Sequence, residues 1–290
     1  MKTSPGPEKL TKPPGDHQLR ALKQRPPKGA GSPPLPPEIN RLVGRAMHRY
    51  QMLADGDRVM IAVSGGIDSL VLCRLLEIWR RKAPIDYELL AVHLDMGFAG
   101  YVPPPELGNQ PPGTINAPLP GTAAAVEAQL QLIGLPYYIE ETSCGPEAMA
   151  AEGGKNGCYH CASRRRARLF ELARERGCNK LALGHHREDI IETFFLNLLY
   201  GGNLSTMVPN QHLFAGRLQL IRPLALLEKA MVHQLGELFK VEAVANPCPL
   251  TDHSQRHQIR QLLHTITGDD PRLQANIFAA LGNVRPEYLL

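Results

Sequence analysis

Val59-Met60-Ile61-Ala62-Val63-Ser64-Gly65-Gly66-Ile67-Asp68-Ser69 leads from an unbroken apolar run through two glycines into Leu70–Trp79, where apolar residues recur at helical spacing. The pattern reads as a buried strand, a tight turn and a helix. Gly65 and Gly66 admit backbone angles closed to other residues and leave no Cβ between backbone N–H groups and an anion. The helix start adds unpaired N–H donors and the positive end of a dipole, and Ser64 and Ser69 add hydroxyl donors. Asp68 is the odd member. A carboxylate repels a bare polyphosphate and fits there only across a divalent cation, of which Mg²⁺ is the usual choice at phosphates. The turn is therefore expected to hold a magnesium nucleotide. A glycine turn that merely joins strand to helix is the competing reading, and the full six-residue string in its strand–turn–helix context argues against it. The string lacks the Gly-Lys-Ser/Thr end of a P-loop, which disfavours an ATPase that cleaves the γ-phosphate.

Outward from the turn, strand-like runs recur at Val59–Val63, Leu89–Leu94, Tyr137–Glu140, Lys180–Leu183 and Leu218–Ile221, with helical patterns between most of them. The alternation predicts an α/β fold, a parallel β-sheet with helices on both faces. Ligands of such sheets bind at the carboxyl ends of the strands. Two more motifs sit at such ends: His93-Leu94-Asp95, and Gly184-His185-His186-Arg187-Glu188-Asp189. Ile39–Leu53 keeps helical spacing and is expected to open the fold. Residues 98–120, rich in proline and glycine, predict a long surface loop before a helix over Thr122–Ile133, and a loop of that length suits a substrate-facing flap. The domain boundaries follow: a tail over 1–38, one domain over 39–285, and a short C-terminal tail over 286–290.

Of the 290 residues 43% are hydrophobic, ample for a packed core, and no apolar run approaches the roughly 20 residues a membrane helix needs. The N-terminus is polar and proline-rich where a signal peptide is apolar, so a cytoplasmic protein with no membrane partner is expected. Residues 1–38 hold seven Lys or Arg against three Asp or Glu and thus carry all of the net charge of +4. That tail is expected to be disordered, either a solubilising leader or a weak tether for nucleic acid.

Six cysteines in such a protein argue against structural disulfides. Cys158-Tyr159-His160-Cys161 is a C-x-x-C pair just before an arginine-rich helical segment, and a helix N-terminus there is expected to lower both thiol pKa values. A metal site, a redox pair and coincidence all fit one such pair. Cys248, between Pro247 and Pro249, is a third candidate. Three thiolates are one short of a closed zinc site, which His160, His253 or His257 would complete, and they also suit three irons of a [4Fe–4S] cluster. Cys73, Cys144 and Cys178 lack partners at ligand spacing and read as core or loop residues. Arg164, Arg165, Arg166 and Arg168 form either an exposed helix face or a set of phosphate contacts, with Arg165 the preferred phosphate ligand.

Several segments taken together, in order, resemble the tRNA-cytidine 2-sulfurtransferase family of PP-loop ATP pyrophosphatases. They are Gly56–Met60 leading into Ser64–Ser69, Ala91–Asp95, Cys158–Cys161 with Ser163–Arg166, Ala182–Asp189 with Phe194–Asn197 and Tyr200–Gly202, Ile221–Leu224, and Cys248. The resemblance runs from residue 39 to about 285. It implies an N-type ATP pyrophosphatase domain of the adenine nucleotide alpha hydrolase type. It further implies ATP-dependent replacement of a tRNA base carbonyl oxygen, C2 of an anticodon-loop cytidine, by sulfur, with release of AMP and pyrophosphate. On that resemblance Ser64, Gly65, Gly66, Asp68 and Ser69 hold pyrophosphate, and His93, Arg165, Gly184 and His185 contact ATP. Asp95 and Asp189 handle Mg²⁺ or the reacting base, and Asp68 and Asp189 are the Mg²⁺ ligands. Cys158, Cys161 and Cys248 hold a [4Fe–4S] cluster whose open iron carries sulfide. The implied partners are tRNA, a sulfur donor (sulfide or a desulfurase persulfide) and a second copy in a homodimer. Ile67 stands where these enzymes usually carry Lys, and Thr251 where they tend to carry a further Cys. Two other readings stay open: a PP-loop enzyme using a cysteine persulfide or zinc, and a non-catalytic nucleotide- or RNA-binding module.

Overall fold

The computed structural model describes residues 33–102, 121–151, 157–248, 255–268 and 270–288. Most of the basic tail, most of the proline-rich loop, and Pro249, Thr251 and His253 lie outside these residues. The chain opens with α1 (Pro37–Arg49), which Pro37 starts, its missing N–H being no loss in a first turn. β1 (Arg58–Val63), α2 (Ile67–Lys82) and β2 (Glu88–Asp95) follow, then α3 (Ala123–Ile133), β3 (Tyr137–Glu141), α4 (Cys144–Ala150), α5 (Gly157–Glu175) and β4 (Lys180–Ala182). The remainder is α6 (Arg187–Gly201), β5 (Asn210–Leu213), β6 (Leu218–Ile221), α7 (Lys229–Phe239), α8 (Gln255–Thr267), α9 (Pro271–Ala280) and a 3₁₀ turn at Pro286–Tyr288.

One six-stranded sheet, in the order β3-β2-β1-β4-β6-β5, carries the fold. β1, β2, β3, β4 and β6 are parallel, and β5 alone runs antiparallel, paired with β6 at the edge. The five strands expected from the sequence are the parallel ones, and β5 adds an antiparallel edge to them. Asn210-Gln211-His212-Leu213 lacks the apolar alternation that marks a strand, and its pairing with β6 supplies what its composition does not.

Successive strand residues face opposite sides of a sheet. Val59, Ile61 and Val63 join the large core with Leu70, Leu72, Leu75, Val126, Val232 and Leu235 of α2, α3 and α7. Met60 faces a second core with Val92, Leu94, Leu169, Leu172 and Leu181, under α5. Helices therefore cover both faces. The strand order reverses between β1 and β4, since β2 lies on one side of β1 and β4 on the other, and a crevice opens outside their carboxyl ends. Ser64–Ser69 and Gly184–Asp189 both leave the sheet there. No helix among the described residues is long and apolar enough to cross a membrane.

Candidate active site

Gly65 adopts φ +90°, a conformation only glycine enters without strain, and a Cβ on it would lie 2.9 Å from Val126 Cγ2 and 3.2 Å from Val244 Cβ. The two serines brace the turn from within. Ser69 Oγ donates to Gly66 O at 2.8 Å and accepts from Ser64 N at 3.2 Å, while Gly66 N donates to Ser64 Oγ at 3.3 Å. α2 begins at this turn without a side-chain cap, so the positive end of its dipole faces the crevice.

Asp68, on the first turn of α2, is gripped by a residue remote in sequence. Lys229 Nζ, at the start of α7, donates to both of its carboxylate oxygens at 2.6 and 2.8 Å. No local pattern flags Lys229, because its partner is 161 positions away. On the other wall, Gly184 lies against the same backbone: a Cβ there would be 2.9 Å from the Asp68 carbonyl carbon. The turn after β4 thereby seats itself on the turn after β1.

His185 Nδ1 accepts from Arg222 Nε at 3.3 Å, which leaves the ring's proton on Nε2. Burial pushes its pKa down, Asp189 opposes this, and the cations of Arg222, Arg256 and Arg165 add to the fall, bringing it to about 4. The imidazole is therefore neutral near pH 7 and can donate through Nε2. His186 is a scaffold residue, with Nδ1 against Glu188 at 2.9 Å and Nε2 against Asp189 at 3.3 Å. Asp189 Oδ2 accepts from His186 N at 3.0 Å, tying down the start of α6, and Oδ1 faces Arg256 at 3.3 Å. Burial opposes ionisation of Asp189, but His186, His185 and Arg256 outweigh it and hold the carboxyl below its ordinary range. Arg256 continues to the buried Glu192, which also takes Arg260, so α8 is fastened to α6 by ion pairs.

His93 and Asp95, both buried at the end of β2, are committed to the chain itself. His93 pairs Nδ1 with Val63 O at 2.8 Å and Nε2 with Thr122 Oγ1 at 3.1 Å. Asp95 Oδ1 accepts from Gly97 N at 2.8 Å, and Oδ2 from Thr122 N, Thr122 Oγ1 and Ala123 N at 3.1, 2.9 and 2.9 Å. Burial pushes the Asp95 carboxyl up, and these four donors more than reverse it, leaving its pKa lowered. In this arrangement Asp95 anchors the start of α3, and His93 braces β1 against Thr122.

Cys158 and Cys161 occupy the first turn of α5, Cys158 exposed and Cys161 half-buried. Cys161 and Cys248 rest on one apolar floor of Phe98, Ala148 and Met149. The expected lowering of the thiol pKa values does not occur. Burial raises Cys158, and a charge on Cys248 raises it further; burial raises Cys161, Arg165 opposes, and Cys248, Cys144 and Cys158 add to the rise. Burial is the larger cause at both thiols, and mutual repulsion adds to it. Among the described residues, no three His, Cys, Asp or Glu side chains already stand at metal-binding geometry. The donor set nevertheless suits a thiophilic cationic centre: two thiols, Cys161 and Cys248, on a common apolar floor, with Cys158 close enough that the three repel one another once ionised, a cost that a bound metal removes. Cys144, which had no partner at ligand spacing, proves to lie near enough to Cys161 to act on its ionisation.

The loop after α7 joins the two halves. Val244 N donates to Gly65 O at 2.9 Å, and Cys248 follows four residues later. Arg165 acts electrostatically on both Cys161 and His185. Arg164 and Arg168 are taken up by carboxylates, Arg164 by Glu147 and Arg168 by Glu140, Glu171 and Glu175. Arg165 and Arg166 are exposed on the same helix.

Residues 38–99 and 122–266 match the PP-loop domain. A tRNA-cytidine(32) 2-sulfurtransferase of Syntrophotalea carbinolica is 36% identical over 256 residues, covering 87% of this chain and 91% of the relative. One from Alkalilimnicola ehrlichii is 38% identical over 269 residues, 90% of this chain and 77% of the relative. Among solved structures, the U34-tRNA thiolase NcsA from Methanococcus maripaludis with its [4Fe-4S] cluster superposes with a TM-score of 0.64 at 20% identity, over 87% of this chain and 80% of that one.

Proposed function

Because the chain belongs to the PP-loop family and, within it, to the tRNA-cytidine 2-sulfurtransferases, we propose that it is an ATP-dependent tRNA thiolase of the cytoplasm, acting on C2 of a cytidine in the anticodon loop. The observation that carries this reading is the loop 241–248, which hydrogen-bonds Gly65 through Val244 and carries Cys248 to the floor it shares with Cys161. A nucleotide on the glycine turn and sulfur on the thiols then meet over one tRNA base.

The turn of Ser64, Gly65, Gly66 and Ser69, with the uncapped start of α2, binds the pyrophosphate end of ATP. The Asp68 carboxylate directs both oxygens at one cation, now Lys229, and so suits Mg²⁺. Asp189 would be a second Mg²⁺ ligand, through the Oδ1 that now faces Arg256. The base oxygen attacks the α-phosphorus, pyrophosphate departs, and the base becomes an adenylate ester. Sulfide then adds to the same carbon, the C–O bond breaks, and the oxygen leaves within AMP. No net electron transfer occurs. In this reading His185 Nε2 donates to an anionic oxygen, and Arg165 and Arg166 receive phosphate. His93 and Asp95 hold the crevice in shape. Cys158, Cys161 and Cys248 would hold a [4Fe–4S] cluster, which on three protein ligands would supply an iron able to take sulfur. The domain spans 39–285, and the sulfur source is sulfide, or a persulfide whose outer sulfur is first released as sulfide by attack of a thiol, which leaves a disulfide behind. A homodimer is the assembly inferred.

Mass spectrometry of tRNA nucleosides from a deletion strain tests the reading: thiocytidine disappears and returns on complementation. Unchanged nucleosides, or anaerobically reconstituted protein that lacks roughly four irons per chain, would count against it.

A further inference from the structure

Among the described residues, Lys229 and Asp68 form the ion pair that reaches into the glycine turn, and its construction is uneven. The backbone of Lys229 is fixed: its N–H donates to both Glu188 carboxylate oxygens at 3.1 Å. Arg187 N donates to Leu227 O at 2.9 Å, and the Arg187 guanidinium pairs with Glu228 at 2.9 Å. Further along α7, Gly236 leaves room for Ile67, whose Cδ1 lies 2.7 Å from where a Cβ would be. α7 is thus clamped on the first turn of α2. The ammonium group is not clamped. It ends a flexible four-carbon stem, and the side chains of Lys229 and Asp68 are 38% and 28% exposed, so water reaches the pair and the ammonium has room to leave it.

An ammonium that covers both oxygens of Asp68 also blocks them from a divalent cation. We infer that Lys229 is a mobile phosphate ligand that occupies the metal seat of Asp68 while no nucleotide is bound, and swings onto the pyrophosphate moiety when a magnesium nucleotide arrives. The exchange leaves every charge paired: Mg²⁺ takes the place of the ammonium on Asp68, and the ammonium meets phosphate oxygens that carry negative charge of their own. Lys229 then serves nucleotide binding and also keeps free divalent metal off the empty turn. This role rests on the nucleotide site proposed above and adds to it a residue and a gating exchange.

Titrations with Mn²⁺, with ATP and with inorganic pyrophosphate, each on the whole chain, separate the two claims. Lys229→Met is expected to bind Mg·ATP and pyrophosphate at least about tenfold more weakly, as befits a lost charge-assisted contact. The same variant without nucleotide binds Mn²⁺ more tightly than the parent, because Asp68 is uncovered. Lys229→Arg restores ATP affinity. Asp68→Asn gives the converse, binding pyrophosphate without metal more tightly, since the ammonium is released, and losing the response to Mg²⁺. Unchanged ATP affinity in a folded Lys229→Met, or unchanged metal-free pyrophosphate affinity in Asp68→Asn, overturns the inference and leaves Lys229 a plain fastening of α7. A parent protein that binds no ATP overturns the nucleotide site itself, a distinct outcome.

Discussion

Gly184 stands so close to Asp68 that a methyl group on it would come within 2.9 Å of the Asp68 carbonyl carbon and 3.0 Å of Ser69 N. These neighbours are backbone atoms at the start of α2 and cannot swing aside. The contact sets the distance between the turn after β4, with His185 and Asp189, and the turn after β1, with Asp68. Gly184→Ala therefore forces the two walls apart. We expect a loss of about 1–3 kcal/mol in thermal or denaturant unfolding and a fall in ATP affinity by calorimetry, while iron content after reconstitution stays at the parent level. An alanine variant with parental ATP affinity would show that the spacing of the walls does not govern the site.

How far the sequence revealed this site depends on the range of each interaction. The glycine turn was legible because its strand, glycines and helix lie within about twenty consecutive residues, and period and composition report on neighbours. Lys229 was not, since Asp68 lies across the fold. The resemblance assigns Asp95 to Mg²⁺ or the reacting base and His93 to ATP. A sequence shows a carboxylate but not the four donors from Gly97, Thr122 and Ala123 that surround it. The thiols of Cys158 and Cys161 were expected to be acidified by a helix start, and the crowding with Cys248 and burial that reverse the direction arise only when the loop 241–248 folds back. β5 was missed because its residues carry no alternation. Ile67, noted as a departure in the turn, has its side chain against Gly236 of α7.

On the proposed function the cluster and the nucleotide are held by different residues, the thiols of α5 and Cys248 for the one and the turns after β1 and β4 for the other. Cys158→Ala should abolish thiocytidine formation and cluster retention, with ATP affinity within about twofold of the parent, because α5 touches the glycine turn through no described hydrogen bond. Asp189→Ala should retain iron and lose thiolation by about a hundredfold, the scale of removing one preorganised polar group from a reacting centre. Iron analysis and tRNA thiolation measured on both variants check this. Equal iron loss in the two would contradict the division.

Glu192, 5% exposed on α6, receives Arg256 and Arg260 from α8. Both arginines keep access to water, with side chains 35% and 57% exposed, so loss of the carboxylate costs less than breaking a fully buried pair. Glu192→Gln is expected to lower stability by about 1–2 kcal/mol, and hydrogen exchange should quicken in α8 first. Uniform exchange along the chain, with α8 as protected as in the parent, would show that the ion pairs do not hold this helix.

Asp95 ties acid sensitivity to the shape of the crevice. Its carboxylate accepts from Gly97, Thr122 and Ala123, and despite burial its folded pKa lies below the ordinary value, which is about 3.9 for an unfolded chain. A lowered folded pKa means that the unfolded chain takes up the proton first as pH falls. The stabilisation from Asp95 is therefore complete above about pH 4 to 5 and is withdrawn as pH drops through the folded pKa. An amide at this position presents one acceptor oxygen in place of two, so either Gly97 N or the Thr122–Ala123 donors lose their partner whatever the pH. Asp95→Asn should then be about 1–3 kcal/mol less stable at pH 7 and show a shallower loss of stability between about pH 5 and 2. Urea unfolding at a series of pH values reads both effects at once, and parallel acid limbs for the two proteins would mean that this carboxylate is not what the low-pH transition titrates.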